Sequence, residues 1–385
     1  MPERLALYAT TPLGTEDLLA AELGELGATK VKQDRGGVRF HANLREVLRV
    51  ALWTRIAMRV LYPLGDFQAR GAEGLYRAAA GVEWERYLTP RTTFAVDSTL
   101  KDSEHTHSGF VSLKIKDAIV DRLRKAQGRR PDVDTKDPDV RVVAHLAKEE
   151  LSLSLDVAGE PLHQRGYRVR TVAAPLKETL AAAVLRAAGY QGEEPLWDPL
   201  CGSGTLVIEA ALIAARRAPG LRRRLSVERW PELGEQAAAI LKELKEEARA
   251  QERAPPHPII GSDRDPEAVQ AAQRNAAAAK VAGMVRVLEA DAIAMGPAPV
   301  PGPGLIASNP PYGDRLTAGG QKGMKTFYYK LGERLGALPE WRKAILIGND
   351  AFESAFHARP AASRWLWNGP IRCQLLSYPG APSEG

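Results

Sequence analysis

The eight residues Asp198-Pro199-Leu200-Cys201-Gly202-Ser203-Gly204-Thr205 restrict the fold of this chain more than any others. The apolar pair Leu196-Trp197 ends a strand before them, and Leu206-Val207-Ile208-Glu209-Ala210-Ala211-Leu212 opens a helix after them. A glycine-rich turn from strand to helix lets backbone approach a ligand closely and presents helix N–H groups to it. The turn is not a phosphate loop, because the Gly-Lys-Ser/Thr that grips β- and γ-phosphates is missing. Its spacing also differs from the six-residue dinucleotide fingerprint.

A second motif follows downstream. The apolar run Gly304-Leu305-Ile306-Ala307 reads as a short buried strand and leads into Ser308-Asn309-Pro310-Pro311-Tyr312, with Gly313 releasing the turn. Two successive prolines fix φ and supply no N–H, which frees the Pro310 carbonyl to face a cleft. Asn309 adds an amide oxygen and Tyr312 a flat ring with a polar tip. Two acceptors beside an aromatic face suit a planar group with an exocyclic –NH2.

Taken in this order, Asp-Pro-x-Cys-Gly-Ser-Gly-Thr and Asn-Pro-Pro-Tyr resemble motifs I and IV of the class I S-adenosylmethionine-dependent methyltransferases that modify exocyclic amines. The resemblance implies an α/β fold: a doubly wound, mostly parallel seven-stranded sheet closed by an antiparallel C-terminal hairpin. The ending from Trp365 to Leu376, with Asn368-Gly369 at its middle, reads as that hairpin. S-adenosyl-L-methionine is then the expected cofactor. Asp198, Pro199, Cys201, Gly202, Ser203, Gly204 and Thr205 are expected to bind it, together with Asn309. The strand Pro258 to Asp263 ends in an acid, and an acid there suits paired ribose hydroxyls, while Asp265-Pro266-Glu267 reads as a helix cap. By family resemblance Asp291, with Ala292, faces the adenine amine; a plain turn aspartate is the alternative. Lys177 and Thr179 start a helix that in the resembling family lies beside the cofactor's amino-acid end, and a simple helix start is the other reading.

Asn309, Pro310 and Tyr312 are the expected catalytic residues. An aromatic amine is a poor nucleophile because its lone pair is delocalised into the ring. If Asn309 and the Pro310 carbonyl each accept one N–H, the nitrogen can pyramidalise and aim its lone pair outward. Tyr312 would stack on the base and hold its plane. No strong general base is required before transfer, since the methylated amine becomes acidic.

At 385 residues the chain is long enough for two or three domains. No apolar run approaches the length needed to span a bilayer, and Met1-Pro2-Glu3-Arg4 opens no signal-peptide hydrophobic region. The only cysteines, Cys201 and Cys373, argue against a disulfide framework or a cysteine zinc site. No metal is expected, His105 and His107 included, and both thiols read as core groups. A cytoplasmic protein is expected.

The net charge of +6 favours contact with a polyanion, although the surplus is shared evenly between residues 1–176 and the rest. Three local basic patches remain: Arg122 to Arg130, Arg165 to Arg170, and Arg216 to Arg224. Each suits either RNA or a solvated face. Lys114 and Lys116, on the helix expected over 111–125, stand near a helix entry suited to RNA phosphate. The apolar face of 44–60 predicts a helix over that range, and the Glu-, Lys- and Ala-rich tract 227–253 an exposed one.

The strand and helix order before residue 157 resembles a small ferredoxin-like leader and a THUMP domain, a module of RNA-modifying enzymes. Leu113-Lys114-Ile115-Lys116-Asp117, Leu153-Ser154-Leu155-Asp156 and Gly159 to Arg168 carry that likeness. The domains expected are a leader over 1–45, THUMP over 46–156, a linker over 157–176 and the catalytic domain over 177–385. From Ala9-Thr10-Thr11 to Cys373 the chain is similar to the RlmL-like ribosomal large-subunit guanine-N2 methyltransferases. This implies methylation of the 2-amino group of a guanine in 23S ribosomal RNA, free or in a large-subunit precursor, with no obligate protein partner evident. Some members carry a second methyltransferase domain, which is not expected here. Transfer RNA is the alternative substrate. A protein glutamine methyltransferase or a non-catalytic RNA-binding assembly factor are the remaining alternatives.

Overall fold

The computed structural model describes residues 4–170, 176–294, 297–300, 302–311, 320–349, 351–356 and 358–381. Two compact units divide the chain: one of residues 1–10, 20–162 and 220–247, the other of 11–19, 163–219 and 248–385.

The first unit holds β1 (Leu5–Thr10), β2 (Thr29–Asp34), β3 (Gly37–Ala42), β4 (Arg59–Gln68), β5 (Thr93–Lys101), β6 (Asp132–Val133), β7 (Val140–Ala147) and β8 (Glu150–Asp156). They form one sheet in the order β2-β3-β1-β4-β8-β7-β5-β6. β5 runs parallel to β7, and parallel neighbours need a long crossover. Helix Ser108–Gln127 supplies it, burying Val111, Ile115, Ala118, Ile119 and Leu123.

The helix expected over 44–60 is shorter, Leu44–Trp53, and is opened by a capping box between Asn43 and Glu46. The buried carboxylate of Glu22 ends it. Glu22 accepts from Thr54 Oγ1 at 2.6 Å, Arg55 N at 2.9 Å and Ile56 N at 3.3 Å. Those contacts hold the chain out of the helical path and release it into β4.

The tract expected as an exposed helix forms one that is shorter and exposed over most of its positions, with one face buried. Helix Gly234–Ala250 buries Ala237, Leu241 and Leu244, and Arg45 reaches its Glu243 at 2.6 Å. Gly220 N donates to Leu52 O at 2.9 Å and Ser226 Oγ to Asp139 O at 2.6 Å. These bonds make the insertion part of the first unit.

The second unit holds β9 (Leu196–Asp198), β10 (Ile259–Asp263), β11 (Arg286–Glu289), β12 (Leu305–Ser308), β13 (Arg342–Ile347), β14 (Ala362–Asn368) and β15 (Ile371–Tyr378). Their order is β11-β10-β9-β12-β13-β15-β14, parallel except for β15, which runs antiparallel to β13 and β14. Successive residues feed opposite cores, as a strand covered on both faces requires. Leu196, Ile259, Leu305 and Leu346 join one core, with helices Glu178–Ala187 and Thr205–Ala214. Trp197, Ile260, Ile306 and Ile345 join the other, with Tyr328 and Leu331 of helix Gly320–Gly336. This is the doubly wound sheet with an antiparallel C-terminal hairpin that the motifs imply. At the hairpin Asn368 pairs with Ile371, so the two turn residues are Gly369 and Pro370. Gly369 takes φ +64, which the first central position of a II′ turn demands.

Candidate active site

Strands β10, β9 and β12 are neighbours, and the chain order reverses between β9 and β12. In a doubly wound sheet the crevice outside the carboxyl ends at such a reversal receives ligands. The ends that meet there are Asp198, Asp263 and Ser308-Asn309, all within the second unit.

Two positive-φ glycines shape the turn after β9, Gly202 at +50 and Gly204 at +82. A Cβ on Gly204 would stand 3.0 Å from the Ala272 Cβ, so a side chain there would be crowded as well as strained at this φ. Gly204 opens helix Thr205–Ala214 with no side-chain cap. Cys201 N donates to Ser262 O at 2.9 Å, tying the turn to the neighbouring strand. Pro199, Cys201, Ser203 and Thr205 are buried. Burial also pushes the Cys201 thiol well above its ordinary range, and Cys373 is buried too.

Asp198 is 2 % exposed. Its Oδ1 accepts from Ser308 Oγ at 2.7 Å and from Leu200 N at 3.1 Å. Burial pushes the carboxyl up to about 7, against the pull of those two donors and helped by the negative charge of Asp263. The Ser308 bond joins the end of β12 to the start of the glycine turn.

Asp263 accepts from Gly202 N at 2.9 Å through Oδ2 and from Asp265 N at 3.0 Å through Oδ1. Asp265 caps helix Pro266–Ala278 by accepting from Glu267 N at 2.9 Å, as its sequence context predicts. Asp291 accepts from Ile293 N at 2.9 Å, and Ala292 is buried beside it.

Past Ser308, the Asn309 Oδ1 is buried and has no partner among the described residues. Pro310 is buried, and the Pro311 carbonyl accepts from Tyr328 Oη at 2.7 Å. The Tyr328 ring stands edge-on to Phe352 at 5.0 Å, so the turn rests on a packed aromatic pair. Tyr312 and the residues from Gly313 to Gly319 lie outside the described residues. Lys177 is the N-cap of helix Glu178–Ala187, and the Thr179 hydroxyl is buried without a partner among the described residues.

In the patch Arg165 to Arg170, Arg165 and Arg168 turn inward rather than toward solvent or RNA, while Arg170 stays exposed. The side chain of Arg165 is 4 % exposed and lies 3.6 Å from the buried Glu209, which also accepts from Tyr167 Oη at 3.0 Å. Arg168 pairs with Glu178 at 3.0 Å. Arg122 and Arg217 are likewise engaged, by Glu85 and Glu252. The partners of Arg165, Arg122 and Arg217 lie 35 or more residues away, so no local sequence signal marks these arginines as internal.

Three family profiles match. Residues 165–377 match the RMKL-like methyltransferase domain, 69–156 the THUMP domain and 6–61 the RlmL ferredoxin-like domain. The ribosomal RNA large subunit methyltransferase K/L of Syntrophotalea carbinolica is 40% identical over 98% of this chain and 54% of its own length. The chain thus spans about half the length of the curated relatives it matches. A crystal structure of a putative methyltransferase complexed with SAH superposes with a TM-score of 0.88 at 30% identity, covering 100% of both chains. A predicted N6-adenine-specific DNA methylase from Listeria monocytogenes gives a TM-score of 0.84 at 28% identity, covering 98% of this chain and 97% of that one. The chain belongs to the RMKL-like methyltransferase-domain family, with a THUMP domain and an RlmL ferredoxin-like domain ahead of the catalytic one.

Proposed function

We propose that this chain transfers a methyl group from S-adenosylmethionine to the exocyclic 2-amino group of a guanine in 23S ribosomal RNA. The observation that carries the reading is the Asn309 Oδ1, buried and without a partner among the described residues, at the strand-order reversal beside the glycine turn. A buried acceptor without a donor costs stability, about 1–3 kcal/mol, and persists where a ligand supplies the missing N–H.

The residues present fit the methyl donor. The Gly202–Gly204 turn lies at a helix N-terminus that has no side-chain cap. Asp263 uses two of its roughly four lone-pair directions on backbone N–H groups, which leaves acceptor capacity for ribose hydroxyls. The Thr179 hydroxyl is a further polar group without a partner among the described residues. Asp263 is assigned to the ribose, Asp291 and Ala292 to the adenine, and Thr179 to the amino-acid end. Asp198 holds the turn and the end of β12 in register through Ser308. When bound, S-adenosylmethionine supplies an electrophilic methyl group on its sulfonium.

Asn309 Oδ1 and the Pro310 carbonyl each accept one N–H of the target amine. That pairing withdraws the nitrogen lone pair from the ring and aims it away from the two acceptors. As the amine turns cationic its N–H groups become stronger donors, so both bonds strengthen toward the transition state. Tyr312 is assigned the stacking role. The THUMP and leader domains are assigned to structured RNA, read through shape and backbone. A cytoplasmic location goes with ribosomal RNA as the substrate.

Incubating the purified chain with large-subunit RNA, transfer RNA and S-adenosylmethionine, followed by mass spectrometry of the nucleosides, tests this. N2-methylguanosine from large-subunit RNA is expected. Methylation of transfer RNA alone, or of adenine, would sink the assignment.

A further inference from the structure

Asn275 lies inside helix Pro266–Ala278 and is 1 % exposed. Asparagine is a poor helix residue, so the helix itself does not explain it. Its side chain makes four hydrogen bonds. Oδ1 accepts from Val169 N at 3.0 Å and Arg170 N at 3.1 Å, and Nδ2 donates to Arg170 O at 2.9 Å and Ser203 O at 3.0 Å. That uses the full capacity of the amide. The Ser203 carbonyl belongs to the peptide entering Gly204, the residue at φ +82.

Arg168, from the same short segment as Val169 and Arg170, holds the turn through other atoms. Its Nη2 donates to Thr205 Oγ1 at 3.3 Å and to Leu176 O at 2.8 Å, its Nη1 lies 3.5 Å from Ser203 Oγ, and its Nε donates to Glu178 at 3.0 Å. One planar guanidinium thereby fixes the glycine turn against the start of the helix that carries Thr179.

We propose that Asn275 and Arg168 are positioning residues that preset the Ser203–Gly204 peptide and the Thr179 helix start for the methyl donor. The inference rests on reading the Asp198–Thr205 turn as the donor site. A turn fixed before binding spares the donor the cost of ordering it, so loss of the fixing groups lowers donor affinity. Turnover at saturating donor is touched less, because among the described residues neither side chain bonds to the Asn309 turn.

The test measures binding of S-adenosylhomocysteine by calorimetry to the full chain carrying Asn275→Ala, Arg168→Lys or Asp263→Ala. Arg168→Lys keeps the charge facing Glu178 and loses the fork, so it decides the matter should Asn275→Ala fail to fold. Folded Arg168→Lys is expected to bind about tenfold more weakly, the scale of a lost hydrogen bond. The KM for S-adenosylmethionine should rise more than kcat falls. In the wild type, exchange of the Val169 and Arg170 amides should slow on S-adenosylhomocysteine binding by more than the general slowing that ligand binding imposes on the rest of the fold, an excess that a purely structural role does not produce. Affinity within about twofold of wild type in folded Arg168→Lys, with Asp263→Ala weakened, overturns the proposal. If Asp263→Ala also binds normally, the reading of the donor site falls and the proposal falls with it.

Discussion

The turn after β9 and the turn after β12 stand side by side at the sheet's carboxyl edge and are built on opposite plans. In the first, Asp198, Asp263, Cys201 N, Gly202 N and Ser203 O are all bonded within the protein. In the second, the backbone is braced by proline and by the Tyr328 bond, yet Asn309 Oδ1 has no partner among the described residues. A preset cradle suits a ligand that binds through backbone and ribose contacts. An open acceptor on a braced turn suits a group whose N–H donors grow stronger during reaction. The contrast predicts that damage to the first turn appears in donor affinity and damage to the second in turnover.

The sharpest attempt to break that contrast is Asn309→Ala. It should lower single-turnover methylation by on the order of 10²–10³-fold, the scale of deleting one preorganised polar partner. Donor affinity by calorimetry should stay unchanged. Methylation close to the wild-type rate would remove Asn309 from the chemistry.

Asp263→Ala tests the other turn and should weaken S-adenosylmethionine binding by roughly 1.5–3 kcal/mol, the range for hydrogen bonds to a charged group. Unchanged affinity would pass the ribose role to another acid, with Asp265 the nearest.

Asp198 gives a pH test of the bond that joins the two turns. Its carboxyl is raised in the folded protein from 3.8 to about 7, chiefly by burial. The protonated form is therefore favoured on folding. Its stabilising contribution is fully present below about pH 4 and is lost as pH rises through about 7. Asp198→Asn should flatten that part of the stability profile, measured by urea unfolding between pH 4 and pH 8. A profile as steep as wild type would mean another group titrates.

Ser308→Ala is expected to give the smallest change. Ser308 favours ionised Asp198, so its removal moves the midpoint of that loss upward, by less than about one pH unit for a bond worth about 1 kcal/mol. A downward movement would mean that Ser308 stabilises the neutral acid instead.

Much of the second unit was legible because its strands are buried on both faces. Leu196-Trp197 and Leu305-Ile306-Ala307 read as short apolar runs, and a parallel sheet brings their ends together. The contacts that finish the site were not legible, because they join residues far apart in the chain. Ser308 reaches Asp198, Asn275 reaches Ser203, and Arg165 turns inward to Glu209. In the first unit, β2 is a largely exposed strand, Thr-Lys-Val-Lys-Gln-Asp, with no apolar alternation to reveal it. The helix stop at Thr54 depends on Glu22, which nothing near Thr54 announces.

The membership of residues 220–247 in the first unit, and of residues 11–19 in the second, bears on how the protein is made and how it can be cut. A nascent chain that has released residue 162 still lacks the piece that completes its first unit, and residues 163–219 emerge before that piece does. Folding one domain at a time in step with synthesis, the common route for multidomain chains, is therefore closed to this one at its first boundary. A single protease cut anywhere between residues 163 and 219 leaves neither product with a whole unit.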